Sequence, residues 1–314
     1  MVNARVSGRL TWLGYGACAM AGCLWGTGFY FGKLALREMS VGHMVLYRFL
    51  FASVGMLPVL MVNAKRPTGA RWTGREWRTL LIASALGIPI QFLLQFAGLA
   101  RTTVSHASLM VGTMPVLLAL GATIWSGERL DWVGWVALAG STVGAALIVL
   151  GGDPASAAGA GPTLAGDLLV VLSLAIALGW ILLNKHLMEA HSPLTVTAYG
   201  ILSGTLMLTV WVVGVDGLPP MARVSGTAWA ALAASGILCT ATTTLLWNWG
   251  IHHVPASRAG VFLNIEPALG SLLGVELLGD RLGPFAWIGG GLILAAAVTL
   301  TARGHEVNPE VLLE

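Results

Sequence analysis

Apolar residues run along this chain in long stretches, broken by short clusters of charged and turn-forming residues. A helix that crosses a bilayer needs about 20 mostly apolar residues. Ten stretches meet that length, at 11–32, 43–62, 78–98, 104–125, 132–151, 165–187, 194–214, 227–250, 256–278 and 284–302. The breaks read Lys65-Arg66-Pro67, Gly127-Glu128-Arg129, the Gly/Ala/Pro run at 151–162, Gly217-Leu218-Pro219-Pro220 and Gly279-Asp280-Arg281. Each stretch is predicted to be a membrane-spanning α-helix.

The pattern is written twice. Met114-Pro115-Val116-Leu117, Gly127-Glu128-Arg129-Leu130 and Trp135 return as Glu266-Pro267-Ala268-Leu269, Gly279-Asp280-Arg281-Leu282 and Trp287, every pair 152 residues apart. The same offset pairs Lys33 with Lys185, Ser40 with Ser192, Tyr47 with Tyr199, Gly98 with Gly250, Ser105 with Ser257 and Ala107 with Ala259. A unit of five spans has an odd number of crossings, so its second copy enters the membrane upside down. The expected fold is an all-α integral membrane protein: ten transmembrane helices as two inverted five-helix repeats, residues 12–151 and 165–302, with a cytoplasmic tail at 303–314. Inverted repeats of this kind mark secondary transporters with a substrate site at the midplane between copies.

Composition agrees with this reading. Of 314 residues 56% are hydrophobic and 10% charged, against about 25% charged in an ordinary soluble protein. With the N-terminus in the cytoplasm, eleven of the 17 Lys and Arg fall inside, five outside, and Arg48 within span 2. That bias puts both termini on the cytoplasmic side of the cell (inner) membrane. The apolar run after Arg5 and Arg9 continues through Phe31, too long for a typical signal peptide. Cys18, Cys23 and Cys239 have no metal or disulfide spacing and read as small buried side chains. No ATP-binding motif occurs, since Gly26-Thr27-Gly28 before Gly32-Lys33 departs from phosphate-loop spacing. No cofactor and no nucleic-acid partner is expected.

Trp25-Gly26 in span 1, Tyr47-Arg48-Phe49 in span 2, a proline in spans 4 and 9, and Gly-Glu/Asp-Arg-Leu after each resemble the EamA-like transporters of the drug/metabolite transporter superfamily. The resemblance covers about residues 12–302. It implies a transporter, not an enzyme, that moves small metabolites such as amino acids or drug-like compounds. The family also implies efflux. Copy two departs from copy one by having Gly200 where copy one has Arg48.

Polar groups inside the spans are the candidate chemistry, because an ionisable side chain in the bilayer faces a partner or a cavity. Glu266, between Asn264 and Pro267, either binds a proton or a cationic substrate group, or packs against backbone freed by the proline. Protons are thus the candidate coupling ion. Gln91 and Gln95 share one face of span 3, and their twins Thr243 and Trp247 share one face of span 8. With Trp25 and Trp180 they are expected to line a cavity formed by spans 1, 3, 4, 6, 8 and 9. Arg48 is expected to snorkel to the interface or pair with a loop. His106, His186, His191, His252 and His253 are expected to be solvated loop residues. A channel or scaffold is the alternative function. An intramembrane enzyme is a weaker one, as no second acid matches the depth of Glu266.

Overall fold

The computed structural model describes residues 2–64, 72–125, 132–150, 162–218, 224–253 and 260–303. The first Gly-Glu-Arg-Leu, at 127–130, lies outside them. The described residues fold into helices joined by short turns: α1 (Val2–Ala35), α2 (Val41–Ala64), α3 (Gly74–Ala85), α4 (Gln91–Leu99), α5 (Val104–Val111), α6 (Met114–Trp125), α7 (Trp132–Leu150), α8 (Leu164–Met188), α9 (Pro193–Val215), α10 (Gly226–Ala233), α11 (Thr243–His253), α12 (Ile265–Leu278) and α13 (Pro284–Arg303). Five helical rods, Val41–Met61, Gly74–Leu99, Leu164–Met188, Pro193–Val215 and Gly226–Gly250, are long and apolar enough to cross a membrane. Trp132–Ile148 and Pro284–Thr299 are shorter and apolar. Val210 and Leu206 stand 70% and 67% exposed in the middle of α9, a lipid-facing surface rather than a wet one.

Local chemistry sets the helix starts. Thr73 and Glu76 form a reciprocal capping box on α3, Thr73 N donating to Glu76 Oε2 at 2.7 Å. Thr163, Ser192 and Ser225 cap α8, α9 and α10 in the same way through their hydroxyls. Pro193 follows its cap at the first helical position, where a missing N–H costs nothing.

Four interruptions break the rods, two in each repeat, and they come in matched places. A π-helical segment, Leu86–Ile90, joins α3 to α4, and another, Ala234–Thr242, joins α10 to α11. The second contains the positions 152 residues beyond the first. Pro89 supplies the first widened turn, since its ring has no N–H to give. Threonines support the second: Thr240 and Thr243 donate to the carbonyls of Ser235 and Leu238, each five residues back. The second kind of break precedes the repeated prolines. Gly112-Thr113 separates α5 from α6 ahead of Pro115, and a 3-10 turn, Gly260–Asn264, precedes α12 and Pro267.

The packing follows the repeat. α1 packs on α11 as α8 packs on α4, and α2 packs on Ala234–Thr242 as α9 packs on Leu86–Ile90. α2 lies against α9 and α7 against α13, each helix beside its own twin, and α5 lies against α12. Ser53 donates to Thr205 at 3.2 Å, and these two are twins 152 residues apart. Twin residues touch only on a two-fold axis, so the axis of the internal symmetry passes between them. Connections gather at two ends. At one, Ser40 meets Asp216, Glu38 meets Ser225, Arg101 meets Thr163, and Ser105 meets Asp280. At the other, Trp72 and Glu76 meet His191.

Glycines allow the closest crossings. A Cβ on Gly270 would stand 2.3 Å from Ser108 Oγ, and one on Gly22 would stand 2.4 Å from the Phe262 carbonyl. The pairs Gly22/Gly26 and Gly270/Gly274 are therefore contact surfaces. Gly140 has nothing within 4 Å. Gly270→Ala should destabilise the bundle by roughly 1–3 kcal/mol, the usual cost of overpacking, while Gly140→Ala should be neutral or slightly stabilising. Thermal unfolding of the two variants in detergent checks this; equal melting would mean that α5 and α12 do not depend on bare backbone.

Candidate functional site

The polar and aromatic candidates come from helices of both repeats. α1 and α4 come from the first, and α11, its preceding π segment and α12 from the second. Trp25 of α1 and Trp247 of α11 touch with ring centroids 5.5 Å apart, in a tilted contact. Gln91 and Gln95 are both buried in α4. The amide oxygen of Gln91 has no hydrogen-bond donor among the described residues. Glu266 lies in the first turn of α12. Its backbone is tightly backed by α1: a Cβ on Gly26 would meet the Glu266 carbonyl at 3.0 Å. Glu266 is partly buried.

The remaining sequence candidates sit close by in different settings. Thr243 is fully buried, and its hydroxyl donates to the Leu238 carbonyl at 2.6 Å. That bond serves the π segment and leaves no donor for a ligand in this conformation. Trp180 packs on the other π segment, since a Cβ on Gly87 would fall 2.4 Å from its indole. Asn264 closes the 3-10 turn and occupies the N-cap position of α12.

Arg48 corrects the sequence reading. It neither snorkels nor pairs with a loop; it is 6% exposed. Its Nε donates to Thr240 Oγ1 at 3.3 Å, and its guanidinium lies over Phe92 and Phe96 at 5.1 and 5.3 Å from the ring centroids. The cause is tertiary: the widened turn at 234–242 brings Thr240 to the face of α2 that carries Arg48. The sequence signal was the departure from the repeat, Arg48 against Gly200.

His106 is a second correction. It is buried, with Nδ1 3.3 Å from Asp167 Oδ2, and Thr102 donates its hydroxyl to the other oxygen of Asp167. Lys33 donates from Nζ to the carbonyls of Leu99 and Thr102, both at 2.6 Å, at the C-terminal end of α4. Asp280 accepts from Ser105 N and Ser105 Oγ, both at 2.9 Å. The second Gly-Asp-Arg-Leu is therefore a clamp. Gly279 ends α12 with φ +71° in the left-handed region, and Asp280 caps the start of α5. His191 is also buried rather than solvated, stacked on Trp72 with centroids 3.9 Å apart and 3.3 Å from Glu76.

Known proteins are similar to this chain. An uncharacterized transporter of Archaeoglobus fulgidus is 25% identical over 289 residues, 92% of this chain and 97% of the relative. A probable terminal-alkyne amino-acid exporter of Streptantibioticus cattleyicolor is 26% identical over 288 residues, 89% of this chain and 90% of the exporter. A riboflavin transporter of Rhizobium johnstonii is 26% identical over 268 residues, 85% of this chain and 82% of that transporter. A solved crystal structure has the same fold, with a TM-score of 0.62 and 18% identity over 95% of this chain and 99% of that one. The model of the EamA-like transporter family matches residues 12–150 and again residues 164–302, and the chain belongs to that family of membrane transporters.

Proposed function

We propose that the chain is a secondary transporter, gradient-driven or facilitative, that exports small metabolites such as amino acids or drug-like compounds by alternating access. The observation that supports this reading is that a cation, Arg48, and two amides, Gln91 and Gln95, are buried in helices of an apolar bundle whose α12 carries Glu266 in its first turn. Such groups are costly inside a membrane unless they serve a partner or a passing ligand. The names of two relatives support export of amino acids and carriage of a larger polar molecule. The proposed topology has ten spans in two inverted halves, with both termini in the cytoplasm. The alternation of connections between two ends of the bundle supports it. Matched interruptions ahead of Pro115 and Pro267 supply hinges on both sides of the interface, where non-helical backbone is tolerated because it borders a cavity.

The topology is checked with single cysteines at Ser7 and Ser156 in a cysteine-free background. An impermeant thiol reagent should label position 156 from outside and leave position 7 unlabelled; equal labelling would sink the ten-span arrangement.

The cavity is checked at its walls. Trp247→Ala and Gln95→Ala should each weaken half-saturation by about tenfold, which corresponds to about 1.4 kcal/mol of lost contact, at unchanged membrane expression. Transport and counterflow are measured in proteoliposomes. Wild-type rates in both variants would make the stripe a packing surface, and absence of counterflow in the wild type would favour a channel.

Glu266 is proposed to gain and lose a proton during the cycle, exchanging it for a cationic substrate group. Glu266→Gln keeps size and hydrogen bonding and removes titration. The variant should still exchange substrate and should no longer respond to a pH gradient across the vesicle. A wild-type rate with the wild-type pH profile would remove Glu266 from the mechanism.

A further inference from the structure

A guanidinium carries five N–H donors in a rigid plane and keeps its charge at any physiological pH. Arg48 uses one of those donors, from Nε to Thr240. Its plane is held by that bond and by the two rings beneath it, Phe92 and Phe96. The terminal nitrogens, Nη1 and Nη2, find no acceptor among the described residues, whose ion pairs are His106–Asp167, His186–Glu189 and His191–Glu76. On the α1 side the fork lies beside the backbone of Gly28, where an added Cβ would be in ordinary contact with Nη1 and Nη2, 3.8 Å from each.

A buried charge with unused donors is unfavourable unless something satisfies it. No ion pair joins Arg48 to Glu266 among the described residues. The group that fits the open fork is a carboxylate, whose two oxygens accept two parallel N–H bonds. The neighbouring walls are aromatic, with Trp25 and Trp247 in contact. The twin of Arg48 is Gly200, so the second repeat offers no equivalent charge. One pole of the cavity takes an anion and the other holds an acid.

We infer that Arg48 is the specificity-determining residue that takes the carboxylate of an amphoteric substrate, leaving its amine to Glu266 and its apolar part to Trp25 and Trp247. The inference rests on the transporter reading and narrows its substrate class. It gives the substrate one orientation in the cavity, carboxylate toward α2 and amine toward α12. Thr240 is a positioning residue, holding the guanidinium plane from the π segment.

The test uses purified full-length protein in proteoliposomes and three probes with the same phenyl ring: phenylalanine, phenylalaninamide and 3-phenylpropionate. Wild-type protein should take phenylalanine with a half-saturation about 10- to 100-fold lower than phenylalaninamide, the range expected for hydrogen bonds to a charged group. Arg48→Gln should weaken phenylalanine and 3-phenylpropionate by that factor and leave phenylalaninamide unchanged, while Arg48→Lys should restore part of the loss. Equal weakening of all three probes, with a lowered unfolding temperature, would make Arg48 a packing residue and overturn the inference. Equal handling of phenylalanine and its amide by the wild type would overturn it too. If the wild type moves none of the probes but moves tetraphenylphosphonium, which has no carboxylate, the inference falls and the transporter reading stands. If it moves neither, both fall.

Discussion

Two helices in an apolar medium gain nothing from the hydrophobic effect by touching each other, so their association depends on close approach of backbones and on polar bonds between them. The interface between the repeats is built on that constraint. Gly26 backs against Glu266, Gly270 against Ser108, Gly274 against Ser105, and Gly144 against Gly289. Each crossing removes a Cβ where two backbones need the space. α5 and α12 are then close enough for Asp280 to reach the N-terminal turn of α5 with both of its bonds to Ser105. The Gly-Asp-Arg-Leu turn thus has a mechanical reason to follow α12: glycine stops the helix in the one conformation that points the acid at its target.

The same constraint explains the widened turns. A π segment frees carbonyls that an apolar environment cannot hydrate. In the second repeat Thr240, Thr243 and Thr244 donate back to carbonyls of Ser235, Leu238 and Thr240. In the first repeat Pro89 removes a donor at the outset. Two different local chemistries give the same local geometry at twin positions, so the geometry matters more to the fold than either residue. One consequence reaches the site, because Thr240 both braces its own turn and receives the Arg48 bond.

Helix positions were legible in the sequence because length and apolarity fix them locally. The stretch 165–187 is α8 within a residue at each end, and 194–214 is α9. The repeat was legible because the 152-residue offset has no gaps. The settings of single polar residues were not. Arg48 meets Thr240 across 192 residues and His106 meets Asp167 across 61, and no local pattern carries those distances. A histidine near a helix start reads as solvated until a second helix covers it. The departure from symmetry at Arg48 and Gly200 was visible in the sequence, yet its meaning required the partner helix.

Departures of that kind are where a symmetric frame acquires a direction. Packing glycines, the Ser53–Thr205 contact and the matched breaks keep the two halves interchangeable, which is what a frame needs if either end is to open at similar cost. The polar interior is not interchangeable. Glu266 stands where the first repeat has Met114, Arg48 where the second has Gly200, and Gln91 and Gln95 opposite Thr243 and Trp247. A symmetric cavity would bind a polar molecule in two equivalent orientations. With the cation on α2 and the acid on α12, only one orientation places opposite charges together. On the proposed reading, symmetry sets how the bundle moves and its local failure sets what the bundle recognises.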